Sequence, residues 1–279
     1  EVRRALADAG EISATEDLLD HGYKELAIAA NQDGAFAYEP HALHIWPRGR
    51  FMLIALPNPD GTFTATLFLP HAGEPSFASV GANEVAAFFR REFADAVPLL
   101  PTLTRDYVGH PTGHLGTVHC RPWSFRDRVL LVGDAAHAIV PFHGQGMNAA
   151  FEDCAALDTL IGTHGHDWRA VFAAFEAERA PNSRAIAEMA LENYLEMRDE
   201  VRDAEFELRA ALSFELERRF PGRWVPRYSM VMFHPEIPYA EAQRRGAIQM
   251  RILRELTSRA TAVTEIDFAR AAELIGELL

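Results

Sequence analysis

Several things are scarce in this chain, and each scarcity closes a class. Only two cysteines, Cys120 and Cys154, occur in 279 residues. That is no disulfide framework, and it suits a reducing cytoplasm better than a secreted setting. No apolar run approaches the ~20 residues of a membrane span, and no signal peptide opens the chain. Basic residues are outnumbered, 27 against 40 acidic, for a net charge of −13. This argues against nucleic acid and against an anionic membrane surface. The twelve histidines are scattered, without metal-ligand spacing. What remains is 48% hydrophobic and 24% charged, enough for a large core and one or two domains.

The organising stretch is Arg128–Asn148, RVLLVGDAAHAIVPFHGQGMN. Val129–Val132 reads as a strand buried on both faces, ending at Gly133. Asp134 then stands at the strand's carboxyl end, where open α/β sheets put ligand-binding groups. Gly144 and Gly146 lead into a helix opening near Met147 and Asn148. Free N–H groups and a positive helix end would converge there on an anionic oxygen or a polarised carbonyl. An ordinary strand–loop–helix connection accounts for the glycines equally well. An apolar stripe, Met147, Phe151, Cys154, Leu157 and Ile161, places Cys154 in the core.

Tyr23–Ile28, Ala42–Pro47, Phe51–Pro57 and Phe63–Leu69 read as strands, with a turn at Asn58-Pro59-Asp60-Gly61. Alternation puts Ile54 and Leu56 on one face, and Thr62, Thr64, Thr66 and Phe68 on one face. Gly81–Val97 has helical spacing, and Val118–Pro122 reads as a short strand. Asp167–Arg179 is amphipathic. Pro181 suits the first turn of a further long helix reaching about Phe220. On that helix Asn193 shares an apolar stripe with Ile186, Met189, Ala190 and Met197, and Glu196 lies beside it. Such polar groups are costly unless partnered, so they are either a buried structural pair or groups facing a cavity. Pro226–Phe233 reads as a linker, and Pro238–Ser258 and Ile266–Leu279 as two last helices.

GDAAHAIVPFHGQGMNAAFEDC closely resembles the second flavin motif of the single-component, FAD-dependent aromatic hydroxylases. YKELAI, HALHIWPRGRFMLIALPNPDGTFTATLFLP, MALENYLEMRD and RYSMVMF extend the resemblance over about residues 1–255. The family's GxGxxG does not occur among these 279 residues. The expected fold class is therefore α/β (α+β): an incomplete Rossmann-type FAD-binding domain, a mixed-sheet substrate domain and a C-terminal helical region. The expected limits are 1–20 with 118–180, 21–117, and 181–279.

The resemblance implies hydroxylation of an aromatic ring with FAD, NADPH and O2 through a flavin C4a-hydroperoxide, since side chains alone cannot activate oxygen. The implied substrate is L-kynurenine, hydroxylated at ring position 3. A homodimer is allowed. Asp134 would bond a ribityl hydroxyl, though an Asp there is also a good helix N-cap. Gly144, Gly146, Met147 and Asn148 would face the flavin's pyrimidine side. Pro141, Phe142 and His143 would lie between flavin and substrate. His143 is either an acid–base group or a hydrogen-bonding wall, with the wall preferred, and His137 is read as structural. Ile54, Leu56, Thr66 and Phe68 resemble the ring pocket; each is equally readable as sheet core. Asn193, Glu196 and Tyr228 resemble the substrate-contacting groups, with a buried hydrogen-bonded tyrosine as the plain reading of Tyr228. A substrate-binding fragment without chemistry, and a hydroxylase of another aromatic acid, remain alternatives.

Overall fold

The alternating stretches pair as strands, and a fifth strand joins them. In the computed structural model, which describes residues 1–200 and 203–278, β1 (Ser13–Ile28), β2 (His44–Pro47), β3 (Met52–Pro57), β4 (Phe63–Pro70) and β5 (Gly113–Arg121) form one sheet, ordered β2-β3-β4-β1-β5. Antiparallel pairing joins β1 to β4, β2 to β3 and β3 to β4. The expected class, mixed α and β with a sheet beside helices, is what forms.

The chain divides into two compact units. One comprises Leu18–Gly116 and a short piece from Leu195 onward. Its core is apolar and aromatic. Leu53, Ala55, Phe63, Ala65, Leu67 and Leu69 on one sheet face meet Phe88 and Phe89 of α2 (Val85–Glu92) and Leu103 and Tyr107 of α3 (Leu103–Gly109). A side-chain period of two forces the alternate residues onto the other face. The register Ile54↔Thr66 and Leu56↔Thr64 puts them side by side there. Lys24, the chain's one lysine, is also buried in this unit. Its ammonium donates to the His110 carbonyl at 2.6 Å and lies 5.1 Å from the centre of the Tyr107 ring. Burial lowers the pKa of the Lys24 amine and pushes the Tyr107 phenol up to about 12.

The other unit comprises Glu1–Asp17, Thr117–Tyr194 and the C-terminal helices. It begins with α1 (Val2–Asp8) and continues with β6 (Ser124–Phe125), β7 (Val129–Leu130), α4 (Asp134–His137), α5 (Gly146–His164) and α6 (Trp168–Leu195). Then follow α7 (Ala204–Arg219), α8 (Arg227–Phe233), α9 (Tyr239–Thr257) and α10 (Phe268–Leu278). Phe175 of α6 packs with Ile12, Trp123, Leu131 and Ala136. Further along α6, Ala185, Ile186 and Met189 pack with Ala149, Met230 and Tyr239. Leu212, Leu216, Trp224, Ile252 and Leu274 make a third cluster between α7, α9 and α10.

Several sequence expectations change here. Val129–Leu130 is a half-buried strand paired antiparallel with Ser124–Phe125, not one buried on both faces. The tight turn closed by Arg128 N–H on the Phe125 carbonyl at 3.3 Å reverses the chain at once, and a parallel pair would need a long crossover. Pro181 lies inside α6 rather than opening a new helix. It forfeits one backbone hydrogen bond, and the clusters at Phe175 and at Ile186 hold the helix on either side. α6 stops at Leu195 and a π turn occupies Glu196–Glu200, so the helix does not reach Phe220 and α7 is separate. Met147, Phe151 and Cys154 are exposed, and α5 buries Ala149 and Asp153 instead. A buried ion pair, described next, fixes which way α5 is rotated. Finally, PRYSMVMF, read as a linker, is the helix α8.

Candidate functional site

The GDAAH segment is held from behind by one carboxylate. Asp153 of α5, fully buried, accepts from the Gly133 N–H at 3.0 Å, from His137 Nε2 at 2.6 Å and from Arg179 Nε at 2.8 Å. Arg179 also reaches Glu152 at 2.9 Å and the Ala149 carbonyl at 3.2 Å. Burial alone would raise the Asp153 pKa; hydrogen bonds from His137 and Arg179 outweigh it and hold the group below the ordinary carboxylate range. A buried charge needs partners of this quality. Gly133 turns through φ 58°, and a Cβ there would stand 3.1 Å from the Ala150 Cβ, so glycine meets both demands. From the front, Arg3 Nη1 donates to the carbonyls of Asp134 and Ala135 at 3.3 and 3.0 Å.

Asp134 itself points outward. It is exposed, and the cap position of α4 is Gly133 with no side-chain cap bond. Its carboxylate has no partner among the described residues, which removes the capping explanation.

The second half of the motif makes an open helix start. Pro141–His143 form a 3-10 turn ending at Gly144, φ 66°, where an added Cβ would meet nothing within 4 Å. α5 then begins at Gly146 with no side-chain cap, so the first-turn N–H groups of Gly146, Met147 and Asn148 lack a capping side chain. Met147 and Asn148 are exposed. Gln145 is buried and pinned: its Oε1 accepts from Tyr239 OH and Asn148 Nδ2, both at 3.0 Å.

Around the turn, Asn193 Nδ2 donates to the Phe142 carbonyl at 2.5 Å. The Phe142 ring stacks on Tyr194 with centroids 4.4 Å apart. His143 stacks on Tyr228 at 5.4 Å; Tyr228 is half-exposed, so it is not a sealed core tyrosine. His143 is buried, with no partner at Nδ1. Burial first, and then the Arg227 cation, push its pKa down to about 4. Arg227 is itself paired with Glu192.

The structure thus brings Pro141, Phe142, His143, Asn193 and Tyr228 together in one unit, with Asp134, Gly144, Gly146, Met147 and Asn148 in the same unit. Ile54, Leu56, Thr66 and Phe68 fall in the other unit, on the sheet face away from the apolar core. Leu56 is exposed, Ile54 and Thr66 are half-buried, and Phe68 is buried with its ring 6.4 Å from Tyr23. Glu196 also belongs to that unit, in the π turn. It does not share an α-helical stripe with Asn193, because α6 ends between them. Sequence reasoning missed Arg3, Asp153, Arg179 and Gln145, whose partners lie 16 to 132 residues away. No local pattern marks such pairs.

An FAD binding domain family profile matches residues 102–190. The chain is 55% identical over 252 residues to kynurenine 3-monooxygenase of Stenotrophomonas maltophilia, covering 90% of this chain and 55% of that protein. It is 49% identical over 279 residues to kynurenine 3-monooxygenase of Myxococcus xanthus, covering all of this chain and 60% of that protein. Among solved structures, 2-methyl-3-hydroxypyridine-5-carboxylic acid oxygenase superposes with a TM-score of 0.54 at 17% identity, over 88% of this chain and 56% of that one. That last likeness concerns the fold alone. Both bacterial relatives to which the chain is similar are kynurenine 3-monooxygenases, and the chain spans 55–60% of their length.

Proposed function

We propose that this chain is the substrate-side and second flavin-contacting part of an FAD- and NADPH-dependent hydroxylase that converts L-kynurenine and O2 to 3-hydroxykynurenine. The observation that carries the reading is the joint arrangement at the second motif: an outward Asp134 without a partner among the described residues, an α5 start without a side-chain cap, and the Pro141–His143 turn anchored by Asn193. These residues fit a flavin. Asp134 would hold a ribityl hydroxyl, and the backbone of Gly144, Gly146, Met147 and Asn148 would hold the pyrimidine edge, where the helix N-terminus favours negative charge. When bound, the flavin supplies hydride acceptance and oxygen activation.

The chain's own residues position and exclude. Asn193 fixes the Phe142 carbonyl, and Phe142 on Tyr194 makes an apolar wall. A His143 with a pKa near 4 is neutral at neutral pH, so it acts as a hydrogen-bonding wall rather than as a proton donor. Ile54, Leu56, Thr66 and Phe68 would cover the aromatic ring, and Glu196 and Tyr228 the amino-acid end.

The test uses a form carrying the family's upstream GxGxxG segment. Asp134→Ala should lose FAD on dialysis while its melting temperature holds, since a charge-assisted bond of roughly 1.5–3 kcal/mol goes to the ligand. Asn193→Ala and Glu196→Gln should weaken kynurenine binding about tenfold. Retained flavin and unaltered kynurenine affinity in these variants would overturn the assignment.

A further inference from the structure

A polar cavity lies in the same unit, with Ala136 and His137 of the GDAAH segment among its lining residues. It has a volume of about 190 Å³ and runs between the start of β1, the end of β5 and the middle of α6. Its floor is the His137 ring, 4.8 Å from Trp123. Arg121 and Arg184 line it from opposite elements. Neither makes an ion pair or side-chain hydrogen bond among the described residues. In a chain of net charge −13, these two arginines line one cavity and meet no carboxylate on it. Ser183 lines it too, 5% exposed, and its hydroxyl has no partner among the described residues, not even the carbonyl one helical turn back that a helical serine ordinarily takes. Ser13 and Thr15 add two more hydroxyls.

No Asp or Glu lines the cavity. The nearby carboxylates are committed elsewhere: Asp17 to His119 at 3.2 Å, and Glu176 to the Trp123 N–H at 3.0 Å.

We infer that this cavity binds a phosphate monoester dianion between Arg121, Arg184 and Ser183. Two guanidinium forks and a hydroxyl match a tetrahedral oxyanion that can accept from all three at once. Two sources share this chemistry: free inorganic phosphate, and the 2′-phosphate of the NADPH hydride donor. The second source rests on the proposed function; phosphate binding itself does not.

The experiment is calorimetric titration of the 279-residue chain with inorganic phosphate, adenosine 2′-monophosphate and adenosine, without turnover. Millimolar or tighter binding of a phosphate probe, with adenosine silent, is expected. Arg121→Gln combined with Arg184→Gln should weaken it at least roughly tenfold, with an unchanged thermal melt because both side chains are exposed and unpaired. Should that double variant fold poorly, Ser183→Ala provides the same reading with a smaller loss. Adenosine 2′-monophosphate binding more tightly than inorganic phosphate identifies the dinucleotide; equal or weaker binding identifies free phosphate. Absence of binding by both phosphate probes, or binding untouched by the arginine and serine changes, overturns the site. Flavin retention and kynurenine affinity are scored separately, so either reading can fail alone.

Discussion

The core of the sheet unit and the anchor of the flavin motif are built on opposite principles. The first is held by Phe63, Phe88, Phe89, Phe93 and aliphatic neighbours, contacts without direction that tolerate a change of shape. The second turns on Asp153, whose three hydrogen bonds are directional and charged. The difference teaches where each unit is brittle. A packed apolar face loses stability in proportion to what is removed, whereas a buried ion cluster fails when one member leaves.

The sharpest break in the comparison is Asp153→Ala. It strands a buried Arg179 and should cost about 3–5 kcal/mol in chemical denaturation. Asp153→Leu with Arg179→Met should recover only part of that loss: the stranded guanidinium is gone, but the Gly133 N–H and His137 Nε2 still lack their acceptor. Phe89→Ala in the sheet core should cost a similar ~3–5 kcal/mol, but Phe89→Leu far less, whereas Asp153→Asn should not be rescued by its likeness in shape.

pH acts next, on the flavin-motif unit. His143 has a folded pKa of about 4 against roughly 6.5 unfolded. The unfolded chain therefore binds a proton first as pH falls. Stability declines between about pH 6.5 and 4, by roughly 3 kcal/mol in all, and His143→Phe should flatten that slope. Asp153 works in the same sense at lower pH: its folded pKa is lowered, so its contribution is full above its unfolded value, near 3.8, and is lost as pH falls further. Asn193→Ala, removing one bond to the Phe142 carbonyl, should cost about 1 kcal/mol. Cys154→Ser, on the exposed side of α5, should change the melt by less than about 0.5 kcal/mol.

The same contrast explains what could be read from the chain. Strand alternation is a local signal, and the facing of Ile54, Leu56, Thr66 and Phe68 followed from it. Asp134 and the glycines of GQGMN were legible because a tight turn and an open helix start demand particular residues within a few positions. The rotation of α5 was not legible, because Met147, Phe151 and Cys154 form a good apolar stripe and only the distant Arg179 and His137 decide against it. Pro181 misled for a related reason. Its usual place is a helix start, and the packing that lets α6 continue through it comes from clusters remote in sequence. Spacing joins Asn193 and Glu196 on one helix face, and a π turn separates them.

Lys24 carries a practical consequence. As the only lysine, with its amine buried on the His110 carbonyl, it leaves the folded surface of these 279 residues without a side-chain amine. Acylating reagents should therefore modify Lys24 only when the sheet opens. The Lys24 modification rate by mass spectrometry then becomes a clock for opening events in that unit, readable under native conditions.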